Sequence, residues 1–173
     1  VYAWDGNINT SNATISSNTA GEDGGGAFCG NSAFNAIDTT ISLNTADDGG
    51  GVCVEYGTFN AIDTAISLNT ADDGGGVCVE YGTFNAIDTA ISLNTAGGGG
   101  GVYVANGIFN ATETIIESNE AFVGGGVNVR ESGFFNAVGA TIASNTANWF
   151  GGGVSVQEGN STFNAIDTTI KLN

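Results

Sequence analysis

Apolar residues recur two apart along this chain, in short bursts divided by glycines and polar turns. Within residues 49–73 the bursts are Val52-Cys53-Val54, Phe59-Asn60-Ala61 and Thr64-Ala65-Ile66. A period of two sends alternate side chains to opposite faces, so each burst predicts a strand of a few residues. The units are rich in Gly, Thr, Asn, Val, Ile and Phe and poor in helix formers. The expected fold class is all-β.

The bursts return at a fixed interval. A Gly-Gly-Gly triplet begins at Gly24, Gly49, Gly74, Gly99, Gly124 and Gly151, with spacings of 25, 25, 25, 25 and 27. Each unit reads approximately Gly-Gly-Gly-Val-x-Val, then Gly-x-Phe-Asn-Ala-x-Asp-Thr-x-Ile, then Asn-x-Ala and a turn. Three short strands joined by turns make one rung of a parallel β-solenoid. The rungs are 1–23, 24–48, 49–73, 74–98, 99–123, 124–150 and 151–173, in a single domain. Stacked at ~4.8 Å, they predict a rod of roughly 34 Å. Neither end shows a cap, and there is no Met. The chain is expected to be part of a longer one, or of a filament.

Stacking turns repeat positions into columns. Ile8, Phe34, Phe59, Phe84, Phe109, Phe135 and Phe163 form one, and Ile15, Ile41, Ile66, Ile91, Ile116, Ile142 and Ile170 another. Paired valines, such as Val52 and Val54, supply the third wall. A single rung cannot offset its chain entropy, but a stack can. A polar column holds Asn18, Asn44, Asn69, Asn94, Asn119, Asn145 and Asn173. Asn both donates and accepts, so these amides are expected to form a structural ladder.

Charge removes several functions. Eighteen acidic residues face two cations, Arg130 and Lys171, for a formal charge of −16. Nucleic-acid and anionic-lipid binding both need Lys and Arg. No apolar run approaches the ~18 residues of a membrane span. There is no His, hence no Ser-His-Asp triad, Cys-His pair or imidazole metal site.

The run Ile41-Ser42-Leu43-Asn44-Thr45-Ala46, followed by Gly49-Gly50-Gly51-Val52, resembles the repeats of right-handed parallel β-helix proteins of the pectate-lyase-like superfamily. It is most similar to the polymorphic outer-membrane-protein type, with its F-x-x-N and G-G-A-[I/L/V] motifs. Ile replaces the Phe and Gly replaces the Ala here. The resemblance implies a right-handed helix displayed outside the cell or at its surface, often adhesive.

The wider class includes polysaccharide enzymes. Lyases of uronate polymers need cations that this chain lacks. Asp38, Asp63 and Asp88 stack at the ~5 and ~10 Å intervals that glycoside hydrolysis uses. Near-identical rungs suit a unique catalytic site poorly, so no enzyme is expected. The same three acids, with Asp47, Asp48, Asp72 and Asp73, form columns that read either as a solvated face or as calcium sites between rungs. No other cofactor is implied.

Cys53 and Cys78 occupy one repeat position in adjacent rungs, within Cα reach of a disulfide, and are expected to point outward. Cys29 aligns with inward valines and reads as a buried apolar thiol. Asn35, Ile37, Asn60, Ile62, Asn85 and Ile87 form an outward stripe suited to packing or adhesion. Tyr2, Trp4, Tyr56, Tyr81, Tyr103, Trp149 and Phe150 are candidates for stacking on surface glycans. Thr40 and Ser42, and their equivalents in other rungs, raise ice binding. Glycosylation sequons stand at Asn9, Asn12, Asn110 and Asn160. The expected role is an extracellular structural or adhesive scaffold that associates with itself end to end or laterally. The alternatives are a carbohydrate-binding or polysaccharide-acting β-helix, and then an ice-binding protein.

Overall fold

The computed structural model describes residues 1–173 and contains 23 strands and no helix. Three seven-stranded parallel sheets each take one strand from every turn. One turn runs through Val52–Glu55 in the first sheet, Thr58–Ile62 in the second and Ala65–Ser67 in the third. The next turn repeats these spans as Val77–Glu80, Thr83–Ile87 and Ala90–Ser92. The chain is a β-solenoid of about seven turns.

Register is fixed by like meeting like. Val52 pairs with Val77, Phe59 with Phe84, and Ile66 with Ile91. The phenylalanine rings stack with centroids 4.7–4.8 Å apart from Phe34 to Phe163. With the isoleucine and valine columns and small alanines such as Ala61, they form one cluster of 28 buried residues down the axis. Each such side chain contributes roughly 1.5–3 kcal/mol of burial. A one-residue slip would send the whole column to the opposite face.

The corners are made by left-handed residues. Asp38, Asp63 and Asp88 have φ of 47–48° between the second and third sheets. Tyr56 and Tyr81 do the same between the first and second sheets, and Leu43, Leu68 and Leu93 after the third. Asp adopts this conformation more readily than most residues. The acid column thus has a conformational role. The glycine triplets mark closer packing. Gly49 has φ of 62°, and a Cβ on Gly50 would lie 2.5 Å from the Thr70 carbonyl oxygen.

Polar groups inside the rod are paired between rungs. Asn94 Nδ2 donates to Ile66 O and to Asn119 Oδ1, both at 3.0 Å. Its own Oδ1 accepts from Asn69 N and Asn69 Nδ2 at 3.0 Å. The pattern runs from Asn18 to Asn173. A second ladder, not anticipated from the sequence, joins Asn9, Asn35, Asn60, Asn85, Asn110, Asn136 and Asn164 on the outer face of the second sheet. Its amides donate the opposite way, toward the preceding rung. A buried threonine column adds a third device. Thr64 Oγ1 lies 3.0 Å from Ile62 O and 3.2 Å from Ala36 O; Thr39, Thr89 and Thr114 are also buried.

Replacing Asn94 by Ala orphans the buried Asn69 N–H and removes the side-chain donor to Ile66 O. The expected loss is about 2–4 kcal/mol in urea unfolding. Asn85→Ala, on the half-exposed ladder where water can substitute, should cost under about 1 kcal/mol. Equal losses at the two sites would contradict this division.

Candidate functional site

The outer face of the first sheet does not open to solvent along its middle. In-register outward positions run Tyr2, Phe28, Cys53, Cys78, Tyr103, Asn128 and Ser155. Phe28, Cys53, Cys78, Tyr103 and Ala105 form a second, smaller buried cluster here. The turn segments that carry the acids lie beside it. Asp23, Asp48, Asp73, Gly98 and Val123 are bridged in parallel, rung to rung. Asp48 stands close enough to act on Cys78, and Asp73 on Tyr103.

This arrangement gives the cysteines a definite place. Cys53 and Cys78 do point away from the axis, but into the second cluster, where both are buried. They pair in register, yet all three cysteines are free thiols. Parallel in-register neighbours keep their Cβ atoms near the ~4.8 Å strand spacing, beyond the usual ~3.5–4.5 Å of a disulfide. A hydrogen bond with Cys53, then burial, pushes the Cys78 thiol well above its ordinary value. Burial raises Cys29 as well, and it lies in the axial core beside Val54.

The acids divide into two groups. Asp38, Asp63 and Asp88 sit exposed at a left-handed corner. Asp47 and Asp72 face solvent on the turn, while Asp48 and Asp73 are half-buried. Burial, then repulsion from Asp73, Asp23, Asp47 and Asp72, raises Asp48 to about 6. Burial also raises Asp23, Asp73 and Glu80, with Arg130 opposing the shift at Asp73. No three acidic or cysteine side chains converge as a metal-holding group.

The remaining candidates are spread over the surface. Ile37 and Ile87 are exposed and Ile62 half-buried, beside the amide ladder of Asn35, Asn60 and Asn85. Tyr56 and Tyr81 stack at 5.0 Å on an exposed corner. Tyr2 and Trp4 stack on Phe28. Of the sequons, Asn9, Asn12 and Asn160 are exposed. Asn110 spends its Nδ2 on Asn85 at 2.9 Å within the ladder, so a glycan there would break a rung contact.

One place breaks the repeat. The turn acids become Gly97-Gly98 and then Phe122-Val123, and the sixth rung gains two residues, one in the turn between Arg130 and Gly133 and one beside Trp149. Glu120–Val123 pairs with Thr146–Phe150 through a register shift. Phe122 meets Trp149 edge to face at 5.8 Å. Between this ribbon and the first sheet lies a cavity of about 460 Å³. Sequence reading flagged Trp149 but not the cavity, because the pairing of turn and sheet lies outside any one repeat.

No family model matches the chain, and no curated protein or solved structure matches it either.

Two outcomes follow. A carboxyl whose pKa is higher folded than unfolded binds more protons in the folded state, so stability falls as pH rises through that interval. With Asp48 at about 6 against 3.8, the melting temperature should drop between pH ~4 and ~7. Asp48→Asn should shrink that drop, and a wild-type melting temperature flat across the interval would overturn the assignment. The thiols should resist a thiol-specific reagent in the native state and all react after unfolding.

Proposed function

We propose that this chain is an extracellular or cell-surface structural rod, a section of a stalk or fibre whose working property is length. The observation that carries the reading is the sameness of its rungs. Phenylalanine stacks on phenylalanine and asparagine on asparagine through the solenoid. Such a pattern specifies a rigid spacer of any number of turns. Its resemblance to displayed right-handed β-helix repeats supports the location and an adhesive use.

Self-association is the partner implied. A parallel sheet edge can pair with a further rung, from the same chain or from a second copy. Side-by-side packing would use the Asn–Ile stripe of the second sheet. The charge of −16 opposes lateral contact at low salt. Calcium would enter by screening the acid columns, between rungs or between rods.

Negative-stain microscopy and sedimentation over a concentration range test this. Rods that lengthen or bundle with concentration are expected, with an axial repeat of ~4.8 Å in diffraction. Bundling should increase with calcium and reverse on chelation. Discrete short particles under every condition would remove the self-associating reading.

A further inference from the structure

The departures from the repeat gather in one place. On the outer face of the first sheet, the position of Cys53, Cys78 and Tyr103 becomes Asn128, and that of Glu55, Glu80 and Ala105 becomes Arg130. On the turn that lies over it, acids give way to Gly97 and Gly98, and one inserted residue brings Trp149 against Phe122. These residues, with Asp73 and Gln157, line the same cavity. Arg130 is one of the two cations of the chain. Its Nη2 is held by Glu158 at 2.8 Å.

Two polar atoms here have no partner. Asn128 is 2% exposed and its Oδ1 is buried and unbonded, and so is Arg130 Nε. Elsewhere the buried amides are paired rung to rung, so the contrast is local. Both atoms are closed to solvent, and leaving them unpaired costs stability, which marks this place as the one where the repeat's own pairing is given up.

We infer that this cavity binds an uncharged sugar ring. Hydroxyls both donate and accept, so a sugar can meet the Asn128 side chain on the cavity wall. Asp73 and Gln157 add further partners for a polyol. Trp149 and Phe122, both exposed, offer apolar faces to a ring. A cavity of about 460 Å³ lies within the roughly 300–1,000 Å³ of small-ligand sites. An anionic sugar would meet Asp73, Glu158 and the acidic surface. A cationic ligand could use Asp73 and the rings but would face the charge of Arg130.

Gly98 keeps the site open. A Cβ there would collide with Asp73 Oδ1 and lie 3.2 Å from Asn128 Nδ2. Gly98→Asp restores the residue that Asp48 and Asp73 supply in the preceding rungs, so it fills the cavity with a side chain the fold already accepts. The inference is independent of the rod reading, since binding is measured on a single chain whatever its assembly.

The test uses a Trp4→Phe background, in which Trp149 is the remaining tryptophan. Methyl glycosides of glucose, galactose, mannose and N-acetylglucosamine are titrated by fluorescence and calorimetry. At least one should bind and shift Trp149 emission. Trp149→Ala and Gly98→Asp should each weaken it by at least about tenfold, with circular dichroism unchanged. Tyr56→Ala, on the distant exposed stack, should leave it unaltered. The proposal fails if no neutral glycoside binds up to ~50 mM, or if both variants bind as well as the parent. Preference for glucuronate or tetramethylammonium would also overturn it. So would a crystal soaked in these glycosides that shows ordered water alone on Asn128.

Discussion

A buried amide of the inner asparagine column is satisfied by an identical amide one rung away. Asn94 closes its hydrogen bonds on Asn69 and Asn119 and on one backbone carbonyl. That requirement sets the rest. It holds the rungs in register, which places phenylalanine over phenylalanine, and it ties the turn after the third sheet to its neighbours. Because leaving such groups unpaired is expensive, the sequence of each rung is constrained by the rungs above and below it. The outer ladder runs its donors the other way, so the two rows of side-chain dipoles oppose and growth adds little net moment.

The same logic explains where variation is tolerated. The axial columns change little from rung to rung, whereas the outer face of the first sheet and the turns beside it change from acids and thiols to Asn128, Arg130 and Trp149. These positions lie outside the ladders and can differ without unpairing a neighbour. A repetitive scaffold thereby gains one asymmetric place without disturbing its axis.

The columns were legible in the sequence because their period is the period of the chain. Phe59, Ile66 and Asn69 announce their neighbours 25 residues away, and three strands per rung follow from the spacing of apolar pairs. Cys53 and Cys78 point outward as alternation implies, but alternation does not separate outward from exposed. A second layer, built from the turn segment, covers them. The ladder through Asn85 was hidden for a related reason, since an outward Asn beside an outward Ile looks like a surface stripe. Thr64 gave no sign of its buried hydroxyl, whose acceptors lie in its own turn and in the rung before. The acids at Asp38, Asp63 and Asp88 suggested ion binding, but their left-handed backbone gives them a simpler reason to be there.

The hydrogen bonds between rungs run along the rod. A tensile load along the axis is therefore borne by links arranged in series, each link being the set of bonds between two turns. Such an assembly is as strong as its poorest link, however perfect the others are. The register shift between Ala121 and Val123 sits between the fifth and sixth turns. There Glu120–Val123 and Thr146–Phe150 pair as strands, where the other turns meet at this corner only through isolated bridges, so the irregular link carries added pairing and the cavity sits beside a reinforced joint.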